Sequence, residues 1–140
     1  MDPQRLIDYC ANKPGVTQNF PFDEYVLTFR VMGKIFALIN MKKLDSIALK
    51  CEPLLAEALR RQHPEVTPGY HLNKTHWNSA ALDGALTEKE LFPWIDLSYK
   101  LVAQSLKKAD REALAKLANE HQGLSNMGTV RTKETRKDAK

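Results

Sequence analysis

A glycine in the middle of an alternating apolar run constrains this chain more than any other feature. Tyr25 to Asn40 alternates in the manner of two strands, and Gly33-Lys34 sits between them. A two-residue II′ turn takes glycine at its first central position, where φ is positive, so this dipeptide predicts a tight hairpin. The turn sets the register: Val31 is expected opposite Phe36, and Phe29 opposite Leu38. One face then carries Leu27, Phe29, Val31, Phe36 and Leu38, and reads as core. The other carries Thr28, Arg30, Met32, Ile35, Ala37 and Ile39, a mixed set suited to solvent, a dimer contact or a binding surface. A hairpin with one apolar face needs a second layer to cover it.

The remaining punctuation supplies that layer. Asp2-Pro3 starts a first helix over about 3–12 by pairing a capping carboxylate with a residue that has no N–H to lose, and Pro14-Gly15 ends it. Leu6, Ile7 and Cys10 share its inner face. Val16–Phe22 and Ser46–Lys50 read as extended. Pro53 opens a second helix over 53–62 with Leu54, Leu55, Ala58 and Leu59 as its stripe, and His63-Pro64 stops it. One or two short strands follow between Tyr70 and Leu82. If Ala80 and Leu82 face inward, Asn78 joins them and Trp77 points away; a bulge reverses this. Thr87-x-x-Glu90 is a capping box for the longest helix, with Leu91, Ile95, Tyr99, Val102 and Leu106 at helical spacing. The order predicts an α+β two-layer sandwich, an antiparallel sheet packed against helices over residues 1–108. A helical extension over 109–122 and a disordered tail over 123–140 complete the expected organisation.

Charge narrows the function classes. The formal net charge is +4, but residues 1–122 hold 16 basic and 15 acidic side chains. The tail carries Arg131, Lys133, Arg136, Lys137 and Lys140 against Glu134 and Asp138. A near-neutral body gives no bulk-charge argument for nucleic acid, and the tail reads as a solubilising end. The longest apolar run, Ile35–Ile39, is far short of the ~20 residues a membrane-spanning helix needs. No signal sequence opens the chain, so the cytoplasm is the expected compartment, with Cys10 and Cys51 as free thiols.

The most unusual chemistry lies in Pro68-Gly69-Tyr70-His71-Leu72-Asn73-Lys74-Thr75-His76-Trp77-Asn78. Imidazoles, amides and an ammonium offer hydrogen bonds to phosphate or base edges, and Tyr70 and Trp77 offer faces for stacking. The competing reading is a polar turn and edge strand whose amides serve the local backbone. A metal site is disfavoured, because His71 and His76 lie five residues apart and a strand aims them at opposite faces. No nucleophile–base signature, phosphate-cradling glycine loop or metalloprotease motif occurs, so no enzyme activity and no cofactor is expected.

These residues, with Leu49-Lys50-Cys51-Glu52-Pro53, Leu82-Asp83-Gly84 and Ser98-Tyr99, resemble the MmcQ/YjbR family of small bacterial proteins. Pro14-Gly15 and Phe20-Pro21-Phe22 match that family's opening, and the resemblance covers roughly residues 3–106. It implies a CyaY-like or secretion-chaperone-like fold and a DNA-binding label tied to a double-wing arrangement. The leading expectation is therefore a non-enzymatic DNA-binding protein. In it Arg30, Lys50 and Lys74 meet phosphates, Asn73, Asn78, His71 and His76 meet a groove, and Tyr70 and Trp77 pack on sugar or base. A dimerising or protein-binding module using Met32, Ile35 and Ile39 is the second expectation. A small-molecule pocket walled by Tyr70, His71 and Trp77 is the third.

Overall fold

The computed structural model describes residues 2–69 and 73–129 of the chain, with side chains through Glu120. The order of elements is α1 (Pro3–Ala11), β1 (Val16–Asn19), β2 (Val26–Val31), β3 (Lys34–Asn40), β4 (Ser46–Lys50), α2 (Pro53–Gln62), β5 (Val66–Pro68), β6 (Trp77–Ala81), α3 (Glu88–Gln104) and α4 (Lys108–Thr129). All six strands form one antiparallel sheet in the order β1-β2-β3-β4-β6-β5. The α+β expectation holds. By backbone contacts the chain divides into two units, residues 1–105 and 106–140. The helix of the second unit runs to Thr129, so residues 123–129, expected to be disordered, are helical. Extending an existing helix costs far less than starting one, and the good helix formers before Gly123 carry it on. Residues 130–140 lie outside the described residues.

The helix boundaries follow the sequence closely. Asp2 caps α1 by accepting from the Gln4 amide at 3.0 Å, and Leu6, Ile7 and Cys10 are buried. Glu52 caps α2 in the same way through the Leu54 amide at 2.8 Å. The stripe of α2 is rotated from the expected one: Ala56 and Leu59 are buried, while Leu54 is 74% exposed. Both halves of the capping box of α3 form, and Leu91, Ile95, Ser98 and Val102 face the core.

The hairpin departs from its expected register. Met32 and Gly33 both take positive φ, +48° and +91°, so they are the central residues of a I′-type turn and Val31 pairs with Lys34. One extra residue then enters β3: Arg30 pairs with Ile35, but Phe29 pairs with Ala37. This bulge at Phe36 puts Phe36 and Ala37 in the core together and moves Ile39 inward. Leu38 moves to the opposite face, pairing with Thr28 and Ala48. Ile39 is fully buried, which removes it from the mixed face proposed for protein contacts.

A serine from a distant helix holds the bulge. Ser98 is fully buried; its Oγ donates to the Phe36 carbonyl at 2.6 Å and accepts from the Lys50 amide at 2.8 Å. The bulge takes the Phe36 and Lys50 backbone groups out of the regular ladder, and the hydroxyl supplies what each would lack. Next to it, Tyr99 donates from its hydroxyl to the Pro14 carbonyl at 2.5 Å and meets the Phe36 ring edge-on. The helices α1, α2 and α3 thus cover one face of the sheet. Tyr9 stacks on Phe92 at 3.9 Å to tie α1 to α3.

Candidate functional site

Alternation places the expected site residues on different sides of the sheet. Asn78 faces the helices and is buried. Its Oδ1 accepts from Arg60 Nε at 2.7 Å and its Nδ2 donates to the Ala56 carbonyl at 3.2 Å. Arg60 also donates to the Lys74 carbonyl. Asn78 is therefore a strut between α2 and β6, saturated by its neighbours, and is withdrawn from the groove contacts expected of it. Asn73 serves its own turn: its Oδ1 accepts from the Thr75 amide at 2.9 Å, and its carbonyl receives the His76 and Trp77 amides. The His76 carbonyl accepts from the Cys51 amide at 2.7 Å, and its ring is half-buried. Gly69 crosses so close to Trp77 that a Cβ there would lie 2.8 Å from the Trp77 Cβ. Much of the unusual segment is thus architecture. Tyr70 and His71 lie outside the described residues.

The other candidates collect on the face of the sheet away from α1, α2 and α3. Lys50 pairs with Trp77, opposite in facing to the buried Leu49 and Asn78. Arg30 lies on the same face at the same end, paired with Thr17 and Ile35. Two strand spacings put Arg30 and Lys50 roughly 10 Å apart at the backbone. Arg30 is partly committed, donating from Nη1 to the Gly33 carbonyl at 3.0 Å. Lys74 is exposed in the turn that leads into β6, with its carbonyl held by Arg60 of α2. Among the described residues the ion pairs are Arg5–Glu88, Lys13–Asp96, Arg61–Glu57 and His63–Glu90, so none neutralises Arg30, Lys50 or Lys74.

The far half of the same face is a concavity of about 750 Å³ that no reading of the sequence singled out. Leu38 lies in it because the Phe36 bulge turned it outward, next to Val26, Ala48 and Ser79 of the neighbouring strands. One signal was present in the chain: Ser46/Ala48 and Ser79/Ala81 are small residues two apart on strands that pair, which leaves a low floor.

Neither thiol is positioned as a nucleophile. Burial pushes Cys10 up to about 12, against a lowering from Lys13, and pushes Cys51 up as well, with the Glu52 carboxylate adding to it. No group of three His, Cys, Asp or Glu side chains among the described residues converges as a metal site. Nor is any described helix long and apolar enough to cross a membrane.

Comparison with known proteins gives the family and supports the fold. The YjbR family model matches residues 11–101. The chain is 35% identical to YjbR of Escherichia coli K12 over 118 residues, 84% of this chain and 100% of that protein. It is 32% identical to YyaQ of Bacillus subtilis over 111 residues, 69% of this chain and 93% of that one. The crystal structure of a Deinococcus radiodurans protein with a DUF419 domain superposes with a TM-score of 0.75 at 34% identity, covering 81% of this chain and 91% of its own. A Pseudomonas syringae protein superposes with a TM-score of 0.61 at 33% identity, over 72% and 98%. Matched by the family model over most of its length and by relatives along nearly their whole chains, this protein belongs to the YjbR family.

Proposed function

We propose that this is a non-catalytic, cytoplasmic DNA-binding protein that contacts the phosphate backbone through one end of its open sheet face. The observation that supports this reading most is that Arg30 and Lys50 share one face and one end of the sheet, with Trp77 paired to Lys50 and an exposed Lys74 in the turn before it, and that none of the three cations has a carboxylate partner among the described residues. Guanidinium and ammonium groups supply the sequence-blind attraction, and the indole packs on a sugar or an unstacked base.

Three phosphate contacts predict a slope of about −2.7 in log affinity against log salt, a loss of about 40-fold between about 50 and 200 mM. Fluorescence anisotropy of the full chain with a labelled duplex and a labelled single strand measures this. Replacing Arg30, Lys50 and Lys74 with alanine should abolish binding at the higher salt and flatten the slope toward zero. Binding that survives those changes but disappears when Arg131, Lys133, Arg136, Lys137 and Lys140 are neutralised overturns the reading. So does an absence of binding to either probe at low salt.

A further inference from the structure

The geometry points to a second site on the same face: the 750 Å³ concavity binds a small amphipathic organic cation, a flat apolar body bearing an amine. The volume lies within the ~300–1,000 Å³ range of small-molecule sites. Its floor is made of Ser46, Ala48, Ser79 and Ala81, side chains short enough for a flat group to lie against the sheet. Phe22, 64% exposed, and Pro64 add carbon to the lining from the loops that precede β2 and β5. An exposed phenylalanine at its edge is surface that a ligand body covers at a gain.

Charge decides the class of ligand. The lining carries three carboxylates, Asp23, Asp45 and Glu65, against the single ammonium of Lys43. Asp23 is held in place, its Oδ1 accepting from the Tyr25 and Val26 amides at 2.8 and 2.9 Å, which leaves its second oxygen for a guest. Two net negative charges at about 6 Å, in water's dielectric and roughly half screened at physiological salt, separate a monocation from a monoanion by about tenfold. The same charges repel a nucleic-acid backbone, so this half of the face is distinct from the Arg30–Lys50 end and the inference does not rest on DNA binding.

Tryptamine and indole-3-acetate share a flat bicyclic body and differ in charge sign, which makes them the probes. Titrated into the ¹⁵N-labelled full chain at neutral pH, tryptamine should shift the amides of Ser46, Ala48, Ser79 and Ala81 saturably. Indole-3-acetate should bind about tenfold more weakly. Asp45→Asn with Glu65→Gln should bring the two affinities to about the same value, because Asp23 and Lys43 then cancel. Ala48→Phe should remove binding of both by filling the floor. Alanine at Arg30 and Lys50 should not weaken tryptamine binding. No saturable shift, shifts confined to other surfaces, or equal affinities in the unsubstituted chain would overturn the assignment.

Discussion

Replacing Ser98 with alanine removes one hydroxyl and orphans two backbone groups. In the native fold that hydroxyl gives its proton to the Phe36 carbonyl at 2.6 Å and takes one from the Lys50 amide at 2.8 Å, with Ser98 fully buried. Alanine cannot do either, and the site is closed to solvent, so each group carries a desolvation cost of about 1–3 kcal/mol. Alanine's better helix propensity returns only about 0.5 kcal/mol. The expected net loss is about 3 kcal/mol, which for a unit of this size is a fall in melting temperature of about 10 °C. Urea denaturation followed by tryptophan fluorescence measures the loss, and hydrogen exchange locates it. The Lys50 amide should lose protection well before the amides of β2. Ser105→Ala is the control, because its Oγ bonds only to the Val102 carbonyl of its own helix at 2.7 Å. A Ser98→Ala chain within about 0.5 kcal/mol of the parent, with Lys50 still protected, would refute the bridge.

Two further outcomes follow from the same structure. Asn78→Ala should cost about 1–3 kcal/mol, since it takes one partner from the Arg60 guanidinium and one from the Ala56 carbonyl, and a double-mutant cycle with Arg60→Ala should show coupling of about 1–2 kcal/mol; additivity would contradict the strut. At alkaline pH the fold should weaken, because Cys10 and Tyr9 are both pushed up to about 12 by burial, with Tyr9 also held by Asp96. Both groups are neutral in the fold and bind their protons more tightly there than when unfolded. Their contribution is complete below pH 9 and is lost as pH rises through 9–12, more from the fully buried Cys10 than from the half-buried Tyr9. Cys10→Ala should flatten that part of a stability–pH curve, and an unchanged curve would count against the buried thiol.

The elements were legible in this chain because their signals are local. A carboxylate before proline marks α1 and α2, a capping box marks α3, and alternation marks β4, each within a few residues of the structure it makes. Facing was not legible, because it depends on the hairpin register, and register changes side with every single residue. The Gly33-Lys34 pair signals glycine as the first turn residue; in the fold it is the second, with Met32 taking a positive φ that nothing about methionine announces. The bulge that follows is held by Ser98, 62 residues further along, so no local pattern around Phe36 contains its cause. That one shift sent Ile39 into the core and Leu38 out of it, opening the concavity and removing a residue from the expected contact face. The polar-aromatic segment misled for a related reason. Asn78 carries recognition chemistry, but its partners, Arg60 and Ala56, lie in α2, and a buried amide that has found both is spent. What remains outward, Lys50 and Trp77, does so because the alternation that buries Leu49 and Asn78 leaves their neighbours no other side.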